Sequence, residues 1–141
     1  MKKVSLTLIT LFTLAVLILS ACASGGASAS PTGEGRLISY GDASNPTPAL
    51  PNAETSVNFN EDGTFGGSVG CNSFSADYKV DNDQITFGSI MSTMMFCEGI
   101  SDQESAVLAI LTDKTIRFTI SEEQLTLTST DGSSTVVLAR K

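Results

Sequence analysis

Cys22, Cys71 and Cys97 carry the most reactive side chains of this chain, and their surroundings assign them different work. Leu19-Ser20-Ala21-Cys22 follows Lys2, Lys3 and an apolar run from Val4 to Leu19. An aliphatic residue, two small ones and then a cysteine form a lipoprotein processing site, at which the thiol takes a diacylglyceryl group and the chain is cut before Cys22. The competing reading of residues 1–21 is a transmembrane helix. A span needs about 20 apolar residues, whereas this run is shorter and broken by Ser5, Thr7, Thr10 and Thr13. A basic start, a short apolar stretch and a small-residue boundary favour an export signal. The expectation is a signal peptide over 1–21, lipid on Cys22, and a domain outside the cytoplasm at the cell membrane or outer membrane. Ala23 brings no retention signal of the aspartate type, so the choice of membrane stays open.

With Cys22 lipidated, Cys71 and Cys97 remain as an even pair outside the cytoplasm, where a disulfide is the economical outcome. Closing that loop stabilises by about 3–4 kcal/mol in the chain-entropy picture. A redox-active pair is the alternative, but there is no Cys-x-x-Cys and no cation beside either thiol. Two free thiols would require a compartment that is not oxidising.

Other chemistry is constrained by a missing residue type: the chain has no histidine. Ser-His-Asp and Cys-His arrangements are therefore impossible, and a zinc site would lack its commonest nitrogen ligand. A serine activated by Lys79 or Lys114 is formally open, yet no motif places a serine beside either. Asp81-Asn82-Asp83 hints at calcium, but Gln84-Ile85-Thr86 continues into a strand where a calcium loop needs its glycine. Met91, Met94 and Met95 beside Cys97 are a soft-ligand cluster of the kind monovalent copper prefers. Methionine is also an adaptable core filler, and packing under a helix is the preferred reading. Glu122-Glu123 sits in a turn as solvated charge. No catalytic residue, metal or cofactor is expected.

Cleavage at Cys22 removes Lys2 and Lys3 and leaves six of the eight Lys and Arg against all fifteen Asp and Glu, a formal charge of −9. Nucleic acid and anionic lipid both require clustered basic residues, and no such cluster exists. Residues 22–34 are small and Gly/Ser/Ala-rich, a flexible tether spanning roughly 20 Å in the random-coil estimate.

Residues 35–141 have single-domain length. Apolar and polar residues alternate at Leu37 to Tyr40, Val57 and Phe59, Phe65 to Val69, Phe74 to Val80, and Ile85 with Phe87. The habit returns at Ile116 to Ile120, Leu125 with Leu127, and Val136 with Leu138. Period-two patterning predicts half-buried strands, and Glu61-Asp62-Gly63, Asp81-Asn82-Asp83 and Asp131-Gly132-Ser133 supply turns. Ser101 and Glu104 have capping-box spacing ahead of Val107, Leu108 and Leu111, so one helix is expected near 101–112, closing a side or end of the sheet. Asp42 to Glu54 is Pro-rich and reads as an exposed loop. The expected fold is mainly β (α+β): an antiparallel barrel or curled sheet of about eight strands with one helix.

Gly70-Cys71-Asn72-Ser73-Phe74, preceded by Phe65-Gly66-Gly67-Ser68-Val69 and followed by Tyr78, resembles the Gly-Cys-Asn signature of the META domain, the family of the heat-shock protein HslJ. Thr93-Met94-Met95-Phe96-Cys97, with Gln103-Glu104 and Leu111, resembles its second block, and Leu125-Thr126-Leu127 before Asp131-Gly132 its third. The resemblance spans about residues 35–140. It implies a small lipocalin-like barrel with one helix, frequent lipoprotein status and links to stress, but no reaction. Many members begin their first strand with Trp; here Gly35-Arg36-Leu37 stands there, which implies a less anchored strand. Physically, Gly66, Gly67 and Gly70 imply a bulge or close backbone approach, with Asn72 bonding the backbone groups it frees.

These readings converge on a non-enzymatic binding or structural module of the cell envelope, stress-related as the resemblance implies, that engages an envelope protein or small ligand and no nucleic acid. The alternative is a carrier holding an apolar or lipid-like molecule inside the barrel, and an unrecognised enzyme is the remaining class. The motif residues that would build or bind are Gly70, Cys71, Asn72, Thr93, Met95 and Glu104.

Overall fold

Alternating runs bury every second side chain only if the backbone is extended, and each run identified above forms a strand in the computed structural model, which describes residues 30–141. The strands are β1 (Gly33–Asp42), β2 (Thr47–Pro48), β3 (Ser56–Phe59), β4 (Thr64–Ser68), β5 (Ser73–Asp81), β6 (Gln84–Phe87), β7 (Met91–Ser92), β8 (Thr115–Ser121), β9 (Gln124–Ser129) and β10 (Ser134–Arg140). One helix, α1 (Ser101–Leu111), lies between β7 and β8. The signal peptide, the lipid site at Cys22 and most of the tether lie outside the described residues.

The long strands run in the order β10-β9-β8-β6-β5-β4-β3-β1, all neighbours antiparallel, and β10 pairs back onto β1 from Gly35↔Arg140 to Asp42↔Ser134. The sheet is thus a closed eight-stranded barrel, and closure removes the exposed edges that an open sheet would carry. β2 and β7 add two-residue pairings on β1 and β5. β1 is paired on both sides, with β10 along most of its length and with β3 at its start. Its ladder slips between Leu37 and Ser39, where the Leu37 amide donates to Thr55 Oγ1 at 3.0 Å.

Turn residues close the hairpins as their chemistry demands. Gly63 and Gly132 take φ of +84° and +77°, and Asn82 and Glu122 take +55° and +53°. Asp62 and Asp131 accept hydrogen bonds from Thr64 and from Ser129 and Ser133 within their own turns. Asp81-Asn82-Asp83 is a hairpin turn, with Asn82 Nδ2 donating to Asp81.

Inside, Phe59, Phe65, Phe74, Tyr78 and Phe87 form one aromatic cluster, with ring centroids 4.8 Å apart for Phe59–Phe65 and Phe65–Phe87 and 5.0 Å for Phe65–Phe74. Leu37, Val57, Ile85, Ile116, Leu125, Leu127, Val136 and Leu138 fill the remainder. A crevice by Phe59, Leu125 and Leu138 has no room for a water molecule. A carrier needs an empty interior, and these side chains occupy the one this barrel encloses.

Strand directions sort the loops into two ends. The start of β1, the hairpins at 60–63, 82–83 and 122–123 and the C-terminus lie at one end; loops 43–55, 69–72, 88–100 and 130–133 lie at the other with α1. Val107 and Leu111 are buried as the helix closes that second end. The capping box does not form. The N-cap is Ile100 without a side-chain bond, Ser101 Oγ instead bonds the Cys97 carbonyl at 3.0 Å, and Glu104 is drawn away to another loop. The 42–54 loop is exposed over much of its length but tied down by β2 and by the Ala49 amide on the Ile38 carbonyl at 2.8 Å.

Candidate functional site

Glycines decide where the backbone of the motif can go. Gly67 has φ of +143°, and a Cβ there would stand 1.9 Å from the Ser56 carbonyl oxygen; strand β4 can pass β3 this closely only without a side chain. A Cβ at Gly70 would stand 2.6 Å from Cγ2 of Ile100, just ahead of α1. The expected close approach is therefore present, in two places, and the slip in the ladder lies in β1 instead.

That approach brings the 69–72 loop under the first turn of α1, where two consecutive helix residues hold it. Gln103 Nε2 donates to the Val69 carbonyl at 2.6 Å, while its Oε1 accepts the Leu50 amide at 2.7 Å. Glu104 Oε2 accepts the amides of Cys71 at 3.0 Å and Asn72 at 2.6 Å. Its Oε1 accepts Asn72 Nδ2 at 2.7 Å. Both helix side chains are buried, and burial of polar atoms is tolerable because each is paired.

Asn72 passes this order on to the segment after β7. Its Nδ2 also donates to the Met95 carbonyl at 3.1 Å, and its Oδ1 accepts from Thr93 Oγ1 and the Met95 amide, both at 2.7 Å. An amide side chain has two donor hydrogens and two acceptor lone pairs, and all four are used. The Thr93 amide donates to the Ser73 carbonyl at 3.0 Å. A disulfide between Cys71 and Cys97, with Cα atoms 5.9 Å apart, closes the far end of the same segment.

Gly70, Cys71, Asn72, Thr93, Met95 and Glu104 therefore meet at one place, as a clamp. Met95 takes part through its backbone only. Its side chain, with those of Met91, Met94 and Phe96, faces outward; Met94 is 97 % and Phe96 85 % exposed. The expected packing of the methionines under the helix is thus corrected: the segment is held from its backbone side by Asn72 and the disulfide, which leaves its side chains no route inward. Cys97, bonded to Cys71, offers no thiolate to a soft metal. Among the described residues, no group of three Cys, Asp or Glu side chains is placed to hold a metal ion, and every buried side-chain nitrogen and oxygen has a partner.

Gln103 was legible as part of the second sequence block, but its role was not. A Gln adjacent to a Glu on a helix reads as solvated polarity until the loops it bonds are in place.

A family model described as the META domain matches residues 36–141. Among solved structures, an NMR structure of a protein from Burkholderia xenovorans shares 22 % identity, with a TM-score of 0.63 over 77 % of this chain and 81 % of that one. A crystal structure of a DUF4847 family protein from Bacteroides vulgatus shares 14 %, with a TM-score of 0.55 over 78 % of this chain and 93 % of that one. These likenesses show the fold alone. Among curated proteins no relative matches.

Proposed function

Since the chain belongs to the META domain family over residues 36–141, we propose that it is a non-enzymatic binding module of the cell envelope, held to a membrane by lipid on Cys22. The observation that carries the binding reading is the fate of the motif's polar groups. Asn72 spends all four of its hydrogen-bonding positions, and Glu104 both of its oxygens, on positioning the 69–72 and 93–97 segments. A reaction centre needs groups left free to meet a substrate; a platform needs its groups consumed in holding a surface still. The filled barrel supports recognition on the outside rather than carriage within.

The Leu19-Ser20-Ala21-Cys22 pattern, the short apolar run before it and the small-residue stretch after it support the anchor. A palmitate analogue fed to cells should label the wild-type chain in the membrane fraction, and Cys22→Ala should abolish both label and retention. Continued labelling of that variant would remove the anchored reading.

A further inference from the structure

Exposed apolar side chains are ordinary when scattered and informative when adjacent. Met91, Met94, Met95 and Phe96 lie within six residues and are each more than half exposed. They are not the product of a slack loop. The β7 pairing, the Thr93 amide, Asn72 and the Cys71–Cys97 disulfide all fix the backbone that presents them. An open groove of about 280 Å³ runs beside them, lined among others by Thr93, Met94, Phe96 and Ser105. Unbranched thioethers adapt to varied apolar partners, and a backbone fixed in advance lowers the ordering cost of binding.

The charge around this tip selects its partner. No Lys or Arg occurs between Lys79 and Lys114. The loops and helix at the same barrel end carry Glu54, Glu98, Asp102, Asp113 and Asp131 against Lys114 and the Arg117 guanidinium, which reaches the Thr130 carbonyl. An anionic bilayer surface is repelled by such a rim. The tip also lies at the end of the barrel opposite the start of β1, the strand that an N-terminal tether would enter. Resting on the binding-module reading and naming its partner, we infer that the Met91–Phe96 tip docks a protein segment whose apolar side chains are flanked by Lys or Arg. The apolar contacts supply affinity, and Glu98 and Asp102, both exposed, supply attraction and orientation.

The probe is a fluorescein-labelled amphipathic peptide of Leu and Lys, titrated into the mature chain with Cys22→Ser. This chain needs no lipid, because β1–β10 closure and the core lie wholly within 33–140. Saturable binding is expected, weakened at least tenfold by Met94→Ser with Phe96→Ser and several-fold by Glu98→Gln with Asp102→Asn. Val80→Ser, an exposed apolar site elsewhere on the barrel, should leave it unchanged. The substituted side chains are exposed, and an intact Cys71–Cys97 bond by mass spectrometry with unchanged circular dichroism verifies the fold. Equal binding of a Leu/Glu peptide, no binding, or no loss in the tip variant would overturn the inference. So would phosphatidylcholine vesicles taking the tip in preference to the peptide, or concentration-dependent dimerisation through it. Failure here leaves the labelling of Cys22 untouched, and failure of that labelling leaves this titration interpretable.

Discussion

Glu104 grips Asn72 twice, one carboxyl oxygen on its backbone amide at 2.6 Å and the other on its side-chain Nδ2 at 2.7 Å. A helix side chain thereby fixes both the path of the 69–72 loop and the orientation of the amide that orders residues 93–95.

Glu104→Gln should therefore destabilise the domain although it is nearly isosteric. Gln keeps one acceptor and turns the other into a donor, which must face either the Cys71 and Asn72 amides or Asn72 Nδ2. A buried donor facing a donor costs about 1–3 kcal/mol. Urea denaturation should show a lower midpoint with an unchanged slope; an unchanged midpoint would refute the clamp.

Asn72→Ala removes four hydrogen bonds and strands the Met95 amide and carbonyl, so a loss of about 2–4 kcal/mol is expected. Its distinctive sign is local. Hydrogen exchange at Met95 should accelerate by more than exchange in β9 and β10, which Asn72 does not touch.

Reduction of Cys71–Cys97 opens a loop whose ends are 26 residues apart in sequence, worth about 3–4 kcal/mol in the unfolded-state entropy account. Thermal unfolding with and without reductant measures this. Because Asn72 still holds Thr93 and Met95, the reduced protein should stay folded, with mobility confined to Phe96 and its neighbours.

Gly67→Ala and Gly132→Ala should differ sharply. The first drives a methyl group against the Ser56 carbonyl and should cost several kcal/mol, on the order of the largest single-site effects. At Gly132 nothing lies within 4 Å and only the positive φ resists, a cost of about 1 kcal/mol. Comparable losses would mean that β3 and β4 move apart readily.

Asp131 is the best-marked pH-sensitive turn. Hydrogen bonds from the Ser129 hydroxyl, and from the amide and hydroxyl of Ser133, lower its pKa from 3.8 to about 2. A group whose pKa is lowered on folding contributes stability above its unfolded value and loses it as pH falls through the folded one. The β9–β10 turn should thus be at full strength above about pH 4 and weaken towards pH 2. Asp131→Asn should flatten that part of the acid-denaturation profile.

The strands were legible because one face of each is buried, and Val57 with Phe59 or Leu125 with Leu127 records that directly in the sequence. The helix was legible from Val107, Leu108 and Leu111, but its cap was not. Ser101 and Glu104 have the right spacing, yet Glu104 meets stronger demand from two amides 32 and 33 residues away. Local spacing cannot register a competitor that tertiary folding supplies. The methionines were misjudged for a related reason: a thioether suits a core and a binding surface equally, and only the covalent and hydrogen-bonded restraint behind them decides between the two. A barrel was expected alongside a curled sheet, and only the β10–β1 pairing decides between them, since alternation is the same in both.

The first residue of β1 and the Met91–Phe96 tip stand at opposite ends of a tube of strands. Tension between them therefore runs lengthwise, across ladders whose hydrogen bonds lie perpendicular to the pull. Those bonds are loaded together in shear rather than opened singly like a zipper, and β1, with a neighbour on each side, shares the load both ways. If the proposed anchor and the proposed docking tip both hold, a pull between partner and membrane would load the barrel along its strands, the direction in which their ladders resist together.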